Sequence, residues 1–279
     1  MVSQEDYPVQ TACKVLGLAR SSYYYKSQRQ DQSEIETAIT EVAGRHPTYG
    51  TRRVTHQLRR APFYQHINRK RTQRIMREKG LLRPVKRSGR YTTNSRHPYL
   101  RFENLVADLE ITRPEQVWVG DITYIRLGRE FIYLSVLMDV FTRCIRSWRL
   151  SKSLNMNLTL DALEQALQSY RPELHHSDQG IHYAHRDYVL KLQQHEVRIS
   201  MADVGNPYQN GFAERLIRTI KEEEVDLSDY QNFAQAKAQI KSFVQDVYNQ
   251  KRIHSALGYL TPVEFETAYY LVLNGSSTP

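Results

Sequence analysis

Asp121, Asp178 and Glu214 are the residues of this 279-residue chain whose types and spacing point to chemistry. Asp121 lies mid-strand in VWVGDITYI (117–125), and Asp178 ends a short strand and opens a glycine turn in ELHHSDQG (173–180). Glu214 follows on a helix in NGFAERLIRTIK (210–221), with 35 residues between it and Asp178. One carboxylate among 30 acids signifies little. Strand centre, strand end and helix, in that order, are what a two-metal phosphoryl-transfer site needs. Two divalent ions about 3.5–4 Å apart clamp the attacking and leaving oxygens of an in-line displacement at phosphorus. Mg²⁺ takes carboxylate oxygens together with substrate phosphates, so two Mg²⁺ ions are expected, with Mn²⁺ as a substitute. Carboxylates gathered without a cation repel, so at least one should titrate high. An Asp flanked by Val119, Ile122 and Ile125 is costly to bury unless it gains a cation or hydrogen bonds. A salt bridge or turn cap would explain Asp121 alone about equally well; it explains all three far less well.

The elements that must position these residues can be read from periodicity. VWVGDITYIRL, the turn LGRE (127–130), FIYLSVLMDV and CIRSWRL predict three strands in an antiparallel meander. MNLTLDALEQALQSY (156–170) predicts an amphipathic helix with Leu160, Leu163 and Leu167 inward. ELHHS should be a fourth strand, parallel to the first after a helical crossover. HRDYVLKLQQHE then predicts a helix, VRIS a fifth strand, and NGFAERLIRTIKEEE a longer helix. This is the ribonuclease-H-like order: a mixed five-stranded α/β sheet flanked by helices. On the last helix Glu214, Arg218 and Lys221 share one face, with Phe212, Leu216 and Ile220 expected to supply the core. An i,i+4 ion pair would explain Glu214 and Arg218 as a surface feature. The favoured reading puts Glu214 on metal, with Lys221 and Arg218 on the substrate backbone. Residues 201–209, MADVGNPYQ, read as a connection beside the site. In VYNQKRIHSALGYLTPVEFE (247–266) a helix starts at Pro262, and His254 reads as structural rather than as a ligand or base. The tail from 271 should fray.

Charge separates the chain into two parts. Residues 1–104 hold 21 Lys/Arg against 8 Asp/Glu, a net of +13, whereas residues 105–279 hold 18 against 22, a net of −4. Between Arg45 and Arg101 lie 17 basic residues and one acid, Glu78. That excess goes beyond what solubility needs and points to a polyanion, nucleic acid first. A membrane surface fits poorly, since no apolar helical face rich in Trp or Phe accompanies the charge. No segment reaches transmembrane length and the N-terminus shows no signal-like pattern, so a cytoplasmic, nucleoid-associated protein is expected. Cys13 and Cys144 form no CxxC pair.

Residues 1–82 read as a small helical, helix-turn-helix-like DNA-binding region. Two short helices surround Gly17, with Ser21 or Ser22 as a cap, and Ile35, Ile39 and Val42 make the stripe of a third. In YGTRRVTHQLRR (49–60) Val54 and Leu58 should face inward and the arginines, Arg52 and Arg53 among them, outward. INRKRTQRIMREKGL (67–81) should begin at an Asn68 cap and stop at Gly80. It presents Arg69, Lys70, Arg71, Arg74 and Arg77 to DNA. Residues 83–104 read as a basic linker with Lys86 and Arg87 on the phosphate backbone, and Tyr91 and Tyr99 as candidates for base stacking. The catalytic core should occupy 105–270.

WVGDITYI, HSDQG, SMADVGNPYQNGFAERLIRTIKEE and YNQKRIHSALGYLTP resemble motifs of the second-frame (OrfB) transposases of bacterial insertion sequences, whose core is similar to retroviral integrase. The resemblance spans nearly the whole chain. It implies an RNase-H-like fold, a DDE metal-binding triad of Asp121, Asp178 and Glu214, and Lys221 as a DNA contact. It also implies Mg²⁺-dependent cleavage at the element's 3′ end and attack of the freed 3′-OH on target DNA. Element ends and target DNA are the implied partners, bound by a homo-oligomer, with an upstream-frame protein or frameshift fusion as a further one. Gln179 stands where many relatives carry Arg, and Ala202, Asp203 and Val204 where many carry basic residues. The paired His and Cys residues of the retroviral zinc domain are missing. Two rival functions remain open at this point. One is a catalytically silent DNA-binding regulator or relic; the other is an RNase-H-like nuclease that cuts without joining.

Overall fold

The computed structural model describes residues 8–24, 32–83, 99–203 and 206–275. The N-terminal part is helical: α1 (Val9–Val15), α2 (Arg20–Tyr24), α3 (Gln32–Arg45), α4 (Thr51–Arg59) and α5 (Arg69–Glu78). The turn at Gly17 has φ +62°, a left-handed conformation that glycine adopts without strain. Helix α2 begins at Arg20, so Ser21 and Ser22 lie within it rather than capping it. Asn68 does cap α5, its side chain accepting the Lys70 N–H at 2.8 Å. Gly80, with φ +68°, follows the last turn. Ile35, Ile39, Val54, Leu58, Ile75 and Met76 form this part's core, joined by Ile253 from far along the chain. Truncating Leu58 to Ala there would cost about 2–5 kcal/mol.

Strands β1 (Val117–Leu127), β2 (Glu130–Asp139) and β3 (Ile145–Ser151) make the expected antiparallel meander. β4 (Leu174–Ser177) and β5 (Arg198–Met201) extend the sheet in parallel, giving the order β3-β2-β1-β4-β5. Helices cover both faces. One face packs Val119, Ile125, Leu134 and Val136 against α9 (Gly211–Glu223) and α10 (Phe233–Ser242), the latter continued by a π-helical turn, Phe243–Tyr248. The other packs Trp118 and Leu137 against α6 (Asn157–Leu167) and α8 (Arg186–Gln194). A single helical turn, α7 (Ile181–Ala184), lies between β4 and α8.

The structure departs from the sequence reading in detail. On α6 the buried stripe is Leu158, Thr159, Ala162, Leu163 and Ala166, while Leu160 and Leu167 sit at its margins. Small residues let that helix lie close to the sheet, so the widest leucine spacing is not the buried one. Helices α7 and α10 have no counterpart in that reading, and α11 (Pro262–Gly275) runs into the segment expected to fray. Tyr99 is partly buried against the core and meets His185 edge to face at 5.6 Å, so packing occupies the ring expected to stack on bases. Lys86, Arg87, Tyr91 and the centre of the 201–209 connection lie outside the described residues.

Candidate active site

Strand register brings the first two carboxylates together. β1 and β4 run parallel with Val119 opposite His176. Asp121 and Asp178 each lie two residues further along, Asp121 within β1 and Asp178 just past the end of β4. The space beyond the carboxyl end of a parallel strand is a common ligand site. β4 is anchored beneath it by two buried histidines. His175 Nε2 pairs with the Tyr188 hydroxyl at 2.9 Å, and His176 bonds Ser200 Oγ at 2.8 Å and the Gln209 carbonyl at 3.1 Å. Burial pushes His175 down to about 3, with the neighbouring His176 adding to the shift. Burial also lowers His176. Both rings are neutral struts.

Glu214 arrives from the other side, in the first turn of α9. Ala213, Leu216, Ile217 and Ile220 of that helix are buried against the sheet, which leaves Glu214, Arg218 and Lys221 facing outward. Phe212, expected in the core, is 40% exposed and lies under the Arg143 guanidinium at 4.2 Å. Its position one residue before the buried Ala213 turns it off the core face.

The electrostatics show that the three acids share one place. Burial first, and then the charges of Asp178 and Glu214, push the Asp121 carboxyl up to about 8. The Ile122 N–H, donating at 2.7 Å, and Lys221 act in the opposite sense. The buried Tyr183 phenol is raised by burial first, and both Asp121 and Asp178 add to it. Asp178 Oδ1 accepts the Gly180 N–H at 3.0 Å. A Cβ at Gly180 would stand 2.8 Å from that same oxygen, so any larger residue there would push this carboxylate out of its place. Among the described residues no three His, Cys, Asp or Glu side chains converge closely enough to chelate a cation as they stand.

The basic helices divide into exposed and committed residues. Arg52, Arg69, Lys70, Arg74 and Arg77 are exposed, Arg71 is half-buried, and Arg218 is exposed on α9. Arg52, Arg53 and Arg69 line a cleft of about 490 Å³ with Ser255 and Tyr259. Arg53 does not face outward as expected. Its guanidinium bonds Glu223 Oε1 at 3.0 Å and lies over the Tyr49 ring, because α4 packs on the core rather than on solvent. Arg59 donates to the Ile67 carbonyl, and Arg60 pairs with Glu264. His254 is pushed down to about 2 by burial and the nearby Arg252, and meets Tyr248 edge to face. The ring is therefore neutral.

Residues 111–207 and 195–262 match two families described as integrase core domain, and residues 29–89 match an HTH-like domain. The 31 kDa uncharacterized protein of insertion element IS600 from Shigella sonnei is 33% identical, over 92% of this chain and 98% of that protein. The transposase of insertion sequence element IS629, also from Shigella sonnei, is 32% identical, over 96% and 94%. The chain belongs to the insertion-sequence transposases. A solved HTLV-2 integrase catalytic core domain in complex with magnesium is 21% identical, covers 55% of this chain and 97% of its own, and has a TM-score of 0.46.

Two features of this transposase escape sequence reasoning. Gly180 was legible as a turn residue, but not as the backbone that cradles Asp178. Glu223 carried no signal at all, being one acid in the run Glu222–Glu223–Glu224. It is the buried link between the HTH-like helices and α9.

Proposed function

We propose that this transposase is a polynucleotidyl transferase whose metal-binding catalytic residues are Asp121, Asp178 and Glu214. The reading is carried by one observation: acids 57 and 36 residues apart in sequence come near enough for the charges of Asp178 and Glu214 to add to burial in raising Asp121 to about 8. Three hard oxygen donors fit divalent cations such as Mg²⁺, and Mn²⁺ by the same chemistry. Two such ions would stabilise the attacking and leaving oxygens of an in-line displacement. Asp121 is fixed by the sheet ladder and the Ile122 N–H, Asp178 by Gly180, and Glu214 by α9, so the acids are aimed before substrate arrives. Lys221, two turns beyond Glu214, is placed for a substrate phosphate. Arg218 lies on the same face. Arg52, Arg69, Lys70, Arg71, Arg74 and Arg77 supply DNA-backbone contacts from the HTH-like region, and the 83–104 segment with Lys86 and Arg87 extends them. Element ends and target are the DNA partners, engaged by a homo-oligomer and by an upstream-frame protein or its fusion. No side-chain nucleophile is required, since water and then the freed 3′-OH attack phosphorus.

The test is nicking and joining of labelled element-end DNA with Mg²⁺ or Mn²⁺, wild type beside Asp178→Asn. Joined product from wild type alone, with DNA binding retained in the variant, is the expected result. Turnover by Asp178→Asn would remove the triad assignment.

A further inference from the structure

We propose that Tyr124 and Phe131 form a stacking platform for an unpaired DNA base beside the reacting phosphate. Tyr124 is 51% exposed and Phe131 47%, unusual for large rings on strands whose other apolar residues are mostly buried. They are diagonal neighbours across β1 and β2, since Arg126 stands opposite Phe131 and Tyr124 opposite Tyr133. Their rings meet edge to face with centroids 5.4 Å apart, which leaves open ring surface toward solvent. A packed core accounts for neither exposure.

The platform is rimmed by cations. Lys221 Nζ lies 4.7 Å from the Tyr124 centroid. Arg126 and Arg129, on and just beyond β1, are exposed, and Arg126 Nε is steadied by the Gly128 carbonyl at 3.1 Å. Glu130 is the one acid between residues 124 and 131. Aromatic faces bordered by cations hold single-stranded nucleic acid: the rings take bases, the cations take phosphates. A protein partner would have to bury this charge unpaired. Lys221 joins the platform to the acidic cluster, because the same ammonium feels the Asp121 charge. Tyr124 lies three residues from Asp121, about 10 Å along the strand and on its other face. Among the described residues β1 pairs with β4 only over Val117–Val119, so its edge is open beside the acids, and a DNA strand held there passes around that edge to these rings. The inference rests on the triad reading for the position of that phosphate.

The experiment uses the full chain carrying Asp178→Asn, so that DNA stays uncut and binding is read apart from chemistry. 2-Aminopurine is placed singly at each of the terminal positions of an element-end duplex bearing an unpaired end, with a blunt duplex as control. Quenching at one or two unpaired positions is expected. Adding Tyr124→Ala should abolish it and weaken binding of the unpaired end by about 5- to 150-fold. Blunt-duplex affinity should stay unchanged, and Tyr124→Trp should restore both signals. Tyr124→Leu keeps apolar bulk without a π face and replaces the alanine variant if that one fails to fold. Unchanged quenching and affinity in the Tyr124 and Phe131 variants would overturn the proposal. Equal loss on blunt and unpaired DNA would do so too, as would a changed oligomeric state with intact quenching, which would mark the rings as a contact between copies. Failure of wild type to cut DNA, with quenching intact, would instead count against the triad.

Discussion

Replacing Glu223 by glutamine should loosen the HTH-like helices from the catalytic core. Glu223 ends α9, nine residues beyond Glu214, and its carboxylate serves two guanidinium groups. Arg252 donates from Nε at 2.7 Å and from its terminal nitrogen at 2.9 Å, and Arg53 donates at 3.0 Å. The Glu223 and Arg252 side chains are only 8% and 7% exposed, so water cannot replace the lost charge. Removing one member of a buried, hydrogen-bonded pair costs about 3–5 kcal/mol, because the partner charge stays buried. Glutamine keeps the volume and one acceptor, which places Glu223→Gln near the lower figure. Arg53, 21% exposed, contributes less than Arg252. The assay is urea unfolding followed by circular dichroism and by fluorescence of Trp118 and Trp148, both in the sheet. A double-mutant cycle of Glu223→Gln with Arg53→Met isolates the pair that spans the two parts, with a coupling energy above about 1 kcal/mol expected. Coupling below about 0.5 kcal/mol, with an unchanged midpoint, would refute the claim that this carboxylate ties the two parts together.

Other perturbations have distinct signatures. Gly180→Ala should leave folding nearly intact yet reduce DNA cleavage by about 10-fold or more, since the new methyl displaces Asp178 Oδ1; equal cleavage rates would remove Gly180 from the site. His175 and His254, held down to about 3 and about 2, stay neutral in the fold but protonate near pH 6.5 once unfolded. Their contribution is therefore complete above pH 6.5 and falls by about 1.4 kcal/mol per histidine for each pH unit below it. Asp121, held up at about 8, shifts stability in the opposite sense over the same range, so the rings are best read directly. Their imidazole NMR signals should not titrate between pH 7 and 5, and a midpoint near 6.5 would contradict their burial. Burial opposes ionisation of Glu223, but the two arginines prevail and hold it below the usual carboxylate range, so its stabilisation disappears only in more acidic solution. Replacing Arg71 and Arg74 by alanine should weaken binding to all DNA sequences alike. It should also reduce the slope of log affinity against log salt by about 2, which titrations at several salt concentrations would read.

Much of this protein is legible without coordinates because its signals are local. The β-rich runs at 117–127, 131–140 and 144–150, joined by tight connections, predict the meander. Asn68 and Gly80 bound a helix because capping needs only neighbours in sequence. The acids stand out by their elements: strand, strand end, helix. Tertiary structure decided what depends on distant partners. The parallel register of β1 with β4 sets Asp121 beside Asp178, and no periodicity specifies register between strands separated by a crossover helix. Arg53 reads like its exposed neighbour Arg52, yet a carboxylate 170 residues away draws it in from the solvent face. Glu223 reads like Glu222 and Glu224, and only packing of α9 against two other segments distinguishes it. Pattern shows which residues can face inward; the long-range contacts determine which charges are buried, and burial determines their chemistry.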